Sequence, residues 1–434
     1  MSALPTWCLA VPHEGGVVAF FPEAGVVGFA PSPEDVQDLR RAAIQRVAAS
    51  ATEPVQGHAR VVRRVSLILT KDCPLRCRYC YAEGGAKRTT MPEGLATHAI
   101  REGAKGSPEI LYVTFFGGEP TLCMSTIRSS VAAARSLVPR CHFHISTGGV
   151  ASEEDLAFLI TNAFTVSVST DGPPDIQNRQ RPLAGDKPSA PLVERTIREL
   201  VLAGAAFKVR CTVTTLNVHR LAECVEYWAA MGVRYVHFEP INVAGRAAQG
   251  GMGLPDPDEY IANFISAVDV AQARSVGIIN SAYMYLRSPT PCYCTTVAGD
   301  KLMVAPDGAV TLCYEVQECD HPLSDFVIGR YDSERGEFVL DREKQARLYR
   351  LSVESYQECR DCFAKYVCAG GCPNRNLVAT GRITTVSPWL CKVKKALIHD
   401  AVIRIYRSSR ERARTLPAEV LGVIVESVAE GGQT

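Results

Sequence analysis

The 434-residue chain has no apolar run approaching the length of a membrane span, ~20 residues, and its first residues, MSALPTWCLAVPHEGG, lack a basic stretch followed by a secretory core. These two absences argue against a membrane-spanning protein and predict a cytoplasmic one. A dominant charge is missing too: 47 Lys and Arg nearly cancel 46 Asp and Glu, leaving a formal net charge of +1. Without a global positive field, nucleic acid is not an expected partner. There is no internal repeat and no low-complexity tract. Cysteine, by contrast, is plentiful. Seventeen cysteines in a compartment that keeps thiols reduced point to metal rather than to disulfides.

At 47% hydrophobic, the chain can bury one large core or two to three ordinary ones. Residues 1–60 read as a small α+β element, with short strands in TWCLAVP and GVVAFFPEAGVVGFA. A helix follows in PSPEDVQDLRRAAIQRVAAS, with Ser32 as N-cap and Pro33 at its first position, and ATEPVQGHAR reads as a linker. Residues 61–285 alternate between strand and helix. The strands are VSLILT, ILYVTFF, HFHIST, FTVSVST, FKVRCTVTT and VRYVHFEP, with helices near 92–104, 122–138, 151–163, 189–204 and 219–231. Apolar strands alternating with helices predict a parallel sheet covered on its outer face, and six such units fit a partial (β/α)6 TIM-like barrel. Chemistry in that architecture sits at the carboxyl ends of the strands. Residues 286–400 are cysteine-rich and loop-rich. A helical tail covers 401–434, with a final helix from about 391 to 413 and a possible second one in LPAEVLGVIVESVAE.

Cys73, Cys77 and Cys80 stand in CPLRCRYCY, directly after the first barrel strand. Three thiolates on one loop can hold three corners of a cubic iron–sulfur cluster and leave its fourth iron open for chemistry. Inert thiols or a zinc knuckle are the alternatives, but a zinc site wants a fourth ligand nearby and two-residue gaps. The spacing of three residues then two, with the aromatic Tyr79 before the last cysteine, resembles the signature of radical S-adenosylmethionine (SAM) enzymes. One strand–helix unit later, Gly117, Gly118, Glu119 and Pro120 resemble the family segment that holds the methionine amino group. The third strand ends in Ser146–Gly149, where the family often has Thr-Asn-Gly, so Gly148 is a departure. The fourth ends in Ser169–Gly172, similar to a family segment whose serine reaches the SAM carboxylate or ribose. Asp171 in that segment, Thr214 and Asn217 on the fifth strand, and Glu239 on the sixth point to the same end; ordinary strand-end capping is the other reading of these residues.

Near the C-terminus stand Cys359, Cys362, Cys368, Cys372 and Cys391, separated by two, five, three and eighteen residues. Cys292, Cys294 and Cys313 lie upstream, with four residues between Gly308 and Cys313 in DGAVTLC. One or two zinc ions are a formal alternative, but the pattern resembles the SPASM extension of radical SAM enzymes, which holds two auxiliary [4Fe–4S] clusters. The resemblance implies a distal cluster on Cys359, Cys362, Cys368 and Cys391, and a proximal one on Cys372, Cys313 and one or both of Cys292 and Cys294. The tight Cys292/Cys294 pair would leave an open iron or recruit Cys319. The remaining cysteines, Cys8, Cys123, Cys141, Cys211 and Cys224, carry no assigned role.

The resemblance further implies SAM and three [4Fe–4S] clusters as cofactors, a flavodoxin- or ferredoxin-type electron donor, and a radical that abstracts hydrogen from a substrate. SPASM proteins mostly modify peptides, so a ribosomally made precursor peptide (a RiPP) is the expected substrate and crosslinking, ring closure, epimerisation or another C–H functionalisation the expected reaction. Sulfatase maturases, which make formylglycine, carry an aspartate where this chain has Tyr314 after Cys313. That counts against them; a radical SAM dehydrogenase of a small molecule is a further alternative. Tyr314 or Glu315 is the candidate base or radical relay, and packing beside a cluster the plain reading of both. The strands of residues 1–60 are candidates to pair with an extended leader peptide.

Overall fold

A computed structural model of the chain describes residues 8–13, 15–50, 62–282, 286, 289–294, 300–317, 321 and 324–414. It divides into two compact units: Arg60–Ile279 with Cys294–Arg350, and Met1–Ala59 with Asn280–Tyr293 and Leu351–Thr434.

The second of these units begins with an antiparallel meander of β1 (Leu9–His13), β2 (Gly16–Phe21) and β3 (Val26–Ala30), followed by α1 (Val36–Ser50). Its core joins Val17, Ala19 and Phe21 to Val26, Val36 and Ala43. The helix starts later than its sequence suggests. Ser32 spends its N–H and its hydroxyl on the Asp35 carboxylate, closing a turn, and Asp35 provides the first helical carbonyl, to Leu39. Ser32 is therefore not the N-cap.

The barrel unit holds β4 (Arg64–Ile68), α2 (Glu93–Gly106), β5 (Ile110–Phe116), α3 (Met124–Leu137), β6 (Arg140–Thr147), α4 (Glu153–Thr161), β7 (Thr165–Ser169), α5 (Pro174–Gln180), α6 (Ala190–Leu202), β8 (Phe207–Val213), α7 (Leu221–Ala230), β9 (Tyr235–Pro240), the single turn α8 (Arg246–Gln249), α9 (Pro257–Ala273) and β10 (Gly277–Ile279). Beyond these come β11 (Lys301–Val304), β12 (Ala309–Thr311), β13 (Val327–Asp332), β14 (Glu337–Leu340) and α10 (Arg342–Tyr349). The sheet order is β10-β9-β8-β7-β6-β5-β4-β11-β12-β13-β14. It is parallel from β10 to β11 and antiparallel from there to β14. This is the expected partial barrel of parallel strands, extended at one edge by β10 and at the other by β11–β14.

The two faces of the strands differ. Val65, Leu67, Val113, Phe115, Ile145, Val168, Val209, Cys211, Val236 and Phe238 are buried. The alternate positions carry Ser66, Thr114, His144, Ser167, Lys208, Arg210, His237 and Glu239, most of them only partly covered. Period-two alternation of this kind separates an apolar face, packed under amphipathic helices, from a polar face that lines the lumen. Trp228, Phe238, Phe264 and Tyr260 pack in series with centroids 5.8–6.0 Å apart and tie α7, β9 and α9 together.

The chain returns to the other unit with α11 (Lys365–Cys368), α12 (Pro373–Thr380) and α13 (Pro388–Arg414). Tyr406 on α13 stacks on Phe29 at 5.7 Å and meets His13 edge-on at 5.1 Å. The expected linker ATEPVQGHAR, the possible helix LPAEVLGVIVESVAE and Cys319 lie outside the described residues.

Candidate active site

After β4 the backbone leaves the sheet and turns through Cys73, Cys77 and Cys80 at the carboxyl end of the barrel. Three neighbouring segments pin this turn. Gly118 and Glu119 donate their N–H groups to Thr70 and Asp72 carbonyls at 2.7 and 2.9 Å. Arg76 and Arg78 donate theirs to Pro182 and Gln180, and Ala184 donates to Pro74. Arg246 donates its N–H to the Cys80 carbonyl and its guanidinium to the Gly84 carbonyl at 2.6 Å. Gly118 is a glycine for contact reasons: a Cβ there would stand 2.2 Å from the Asp72 carbonyl oxygen.

The three thiols lie within one another's electrostatic reach. Burial pushes Cys73 up, and the charges of Glu119, Cys77 and Cys80 push it further. Burial moves Cys77 up to about 11, against the pull of Arg181, whose guanidinium lies 3.9 Å from the sulfur. Thiols so placed stay protonated until a cation stabilises the thiolate, as a metal cluster does. Room is left beside them. Gly84 has no side chain where a Cβ would sit 3.2 Å from the Cys73 Cβ and 3.7 Å from the Cys80 sulfur, and its N–H donates to that sulfur at 3.3 Å. Soft donors on one loop, an adjacent guanidinium and this space fit an iron–sulfur group. Among the described residues no set of three Cys, His, Asp or Glu side chains is gathered around a point as for a single metal ion.

Glu119 is fully buried one unit away. Its Oε1 accepts from the Thr121 N–H, the Thr121 hydroxyl and the Thr147 hydroxyl, and its Oε2 from the Gly148 N–H at 2.7 Å. Burial raises its pKa and these donors oppose the rise. Oε2 takes one described donor, so it retains a lone pair for a cationic ligand. The departure at Gly148 has a steric reason: a Cβ there would meet the Leu75 side chain at 2.4 Å and Oε2 at 3.2 Å. Leu75, from the cysteine loop, fills the space of the missing side chain.

Asp171 is the hub of a buried network. Its Oδ2 accepts from the Tyr79 hydroxyl at 2.5 Å and pairs with the Arg181 guanidinium at 3.0 Å, while its Oδ1 accepts from the Thr212 N–H at 3.0 Å. The Arg181 guanidinium also lies over the Tyr79 ring, 5.1 Å from its centroid. The aromatic of the cysteine signature is thereby locked to the fourth strand end. Sequence reasoning gave Arg181 no role, although it stands only ten residues after Asp171.

The other candidates separate by position. Ser169 is part-exposed at the end of β7. Thr214 is buried, its hydroxyl donating to Gln180 at 2.6 Å, and its N–H donates to the Asn217 side chain. Glu239 on β9 stands 3.2 Å from His237. Tyr314 shares a hydrogen bond with Ser66 at 2.8 Å and packs on Phe116, and Glu315 accepts from Asn242 at 2.8 Å. Tyr81, directly after Cys80, lies close enough to Glu315, Cys80 and Cys313 for their charges to raise its pKa, an effect second to burial.

In the other unit, burial lifts Cys359 to about 12, with Cys368, Cys362 and Cys391 adding to the rise. These three thiols thus lie within electrostatic reach of Cys359, and Cys359 and Cys391 pack with Val353, Tyr356 and Val386. Cys372 precedes α12 in the same unit, and Cys292 donates to the Leu351 carbonyl at 3.4 Å. Cys294 and Cys313 belong to the barrel unit.

Residues 67–226 match the sequence profile of the Radical SAM superfamily. The serine-type anaerobic sulfatase-maturating enzyme of Klebsiella aerogenes is 24% identical over 319 residues, covering 69% of this chain and 77% of that protein. Among solved structures, native anSMEcpe with bound AdoMet and Cp18Cys peptide superposes with a TM-score of 0.64 at 18% identity, covering 80% of this chain and 98% of the other. Streptococcus suis SuiB bound to the precursor peptide SuiA gives 0.54 at 12% identity, covering 90% and 100%.

Proposed function

We propose that this chain, a radical SAM enzyme with the fold of the SPASM-type maturases, modifies a ribosomally made peptide. The observation that carries this reading is the Cys73/Cys77/Cys80 loop pinned to Glu119 at the carboxyl end of a barrel with a polar lumen. Peptide-bound neighbours of the same fold support the substrate class.

Cys73, Cys77 and Cys80 would hold a [4Fe–4S] cluster. Bound with SAM, that group supplies a 5′-deoxyadenosyl radical able to take hydrogen from a C–H bond. Glu119 Oε2 would accept the methionine ammonium, a charge-assisted bond inside a dry site. Gly117, Gly118, Ser169, Asp171, Thr214 and Glu239 belong to the same cofactor set in this proposal; of these, Asp171 works through the Tyr79 ring that it orients. Cys359, Cys362, Cys368 and Cys391 would hold a distal auxiliary cluster, and Cys372, Cys313 and one or both of Cys292 and Cys294 would contribute to a proximal one. Glu315 or Tyr314 would move a proton from the substrate. A flavodoxin or ferredoxin would supply electrons.

Two peptide chemistries compete. The likeness to sulfatase-maturating enzymes supports formylglycine formation. Tyr314 stands where that subclass carries aspartate, which favours crosslinking, ring closure or another C–H functionalisation. The test is anaerobic reconstitution with SAM and a reductant, followed by mass spectrometry of a co-expressed candidate precursor. The expected result is 5′-deoxyadenosine that disappears in Cys80→Ser and falls roughly ten- to a hundred-fold in Glu119→Gln. The peptide should lose two hydrogens without gaining an aldehyde. An aldehyde-reactive product would establish formylglycine instead, and a zinc-loaded protein making no 5′-deoxyadenosine would overturn the enzyme reading.

A further inference from the structure

The lumen face carries three cations, Lys208, Arg210 and Lys301, that lie outside the cofactor set proposed above. Lys208 and Arg210 alternate along β8 with Val209, Cys211 and Val213, all three of which are fully buried. The two cations therefore stand on the opposite, lumen face. Register places Lys208 opposite Ser167, and Arg210 opposite both Ser169 and His237. Lys301 approaches from β11, its ammonium 5.1 Å above the Tyr314 ring.

His144, on β6, feels the charges of Lys208, Arg210 and Lys301 together. Burial and the same cations hold His144 neutral, with Nε2 2.9 Å from the Ser167 hydroxyl. Burial lowers the pKa of Lys208 as well, and Arg210 lowers it further.

The nearby carboxylates are engaged elsewhere. Glu239 stands beside His237, Glu315 accepts from Asn242, and Asp171 pairs with Arg181. Among the described residues no carboxylate lies within ion-pairing distance of Lys208 or Arg210. Lys208 is half-buried and Arg210 exposed; a partly desolvated cation such as Lys208 carries an energetic cost that an anionic ligand offsets. The walls here are strands, which offer side chains rather than a nest of backbone N–H groups, so a planar carboxylate suits them better than a phosphate.

We propose that the lumen receives a carboxylate of the peptide substrate, borne by an aspartate or glutamate side chain or by the chain end, on Lys208 and Arg210, with Lys301 adding to the positive charge of the same face. This rests on the peptide reading above and adds to it a specificity: an acidic group anchors the residue that is modified.

The test uses the reconstituted holoenzyme with SAM present and three short glycine peptides. One is blocked at both ends with a central glutamate, one is the same with glutamine, and one is uncharged within but has a free C-terminus. Affinity is measured by calorimetry at low and high salt. At least one carboxylate peptide should bind roughly ten-fold or more tighter than the glutamine peptide, and which one does so names the source. The preference should fade with salt, vanish in the Lys208→Gln/Arg210→Gln double variant and survive in Lys208→Arg. Cluster absorbance and melting temperature report that each variant is folded. Equal binding of all three peptides, or a preference that persists in the double variant, overturns the inference and leaves the peptide reading standing. No binding by any of them overturns the inference as well, while the peptide reading is decided by the precursor mass spectrometry above.

Discussion

A single imidazole shows how far the lumen departs from water. His144 has its pKa lowered from about 6.5 to about 4, by burial first and then by Lys208, Arg210 and Lys301. The fold thus prefers the neutral ring, and its stability is whole above the ordinary value near 6.5. Stability falls as pH drops from there toward 4 and changes no further below. At about pH 5 the loss is about 2 kcal/mol as an upper value, because the ring is partly exposed. His144→Gln should therefore reduce the drop in melting temperature between about pH 7 and pH 5, by on the order of 4 °C. An equal drop in both proteins would show that His144 does not control the acid limb. The site's residues were unequally legible. The cysteines and Gly117–Glu119 announce themselves because their chemistry demands fixed spacing along one short stretch. Arg181, Lys208 and Arg210 do not, because each acts through strands joined only in the fold. The alternation of Lys208, Arg210 and Thr212 with Val209, Cys211 and Val213 was nonetheless visible in FKVRCTVTT, and it marks a strand with one polar face.

At the level of elements, the site depends on how tightly other segments clasp the cysteine loop. Gly245 shows this most directly. It has φ +53°, and a Cβ there would stand 2.4 Å from the Tyr81 carbonyl oxygen and 2.7 Å from that of Cys80. Gly251 also has positive φ, +64°, but open space around it. Alanine at either position pays the left-handed cost of about 1 kcal/mol; only Gly245→Ala must also push the loop away. Reconstituted Gly245→Ala should lose iron and 5′-deoxyadenosine production, while Gly251→Ala keeps both with a slightly lower melting temperature. Matching behaviour of the two would show that the clasp is dispensable. The parallel strands were legible for a related reason: ILYVTFF coincides with β5 because a strand covered by helices must be apolar at every second position and bulky throughout. The four short strands between Lys301 and Leu340 were not, since pieces of three to six residues broken by turns carry too little periodicity. Ser32 misled because Ser-Pro is a helix-start signal, while the Asp35 carboxylate competes for the same serine.

On the scale of the molecule, the unit that contains the N-terminal meander is assembled from distant parts of the chain. Residues near the two ends meet in it: Tyr406 of α13 is buried against Phe29 of β3 and His13 of β1. Sequence order hides this, because nothing local marks β3 and α13 as partners. It also changes how a leader-binding role for the first 60 residues is to be tested. Deleting them would strip the cover from Tyr406, so lost peptide affinity could not be separated from damage to α13. A local probe is better. Replacing a buried aromatic by alanine costs about 3–5 kcal/mol, of which the ring pairs account for roughly 0.5–1.5 each. Tyr406→Ala should thus speed amide hydrogen exchange along Val26–Ala30 and leave β5 and β6 of the barrel unit as protected as before. Should exchange along β3 stay unchanged, the meander would be holding itself together without α13, and deletion of residues 1–55 would become a clean test of leader binding after all.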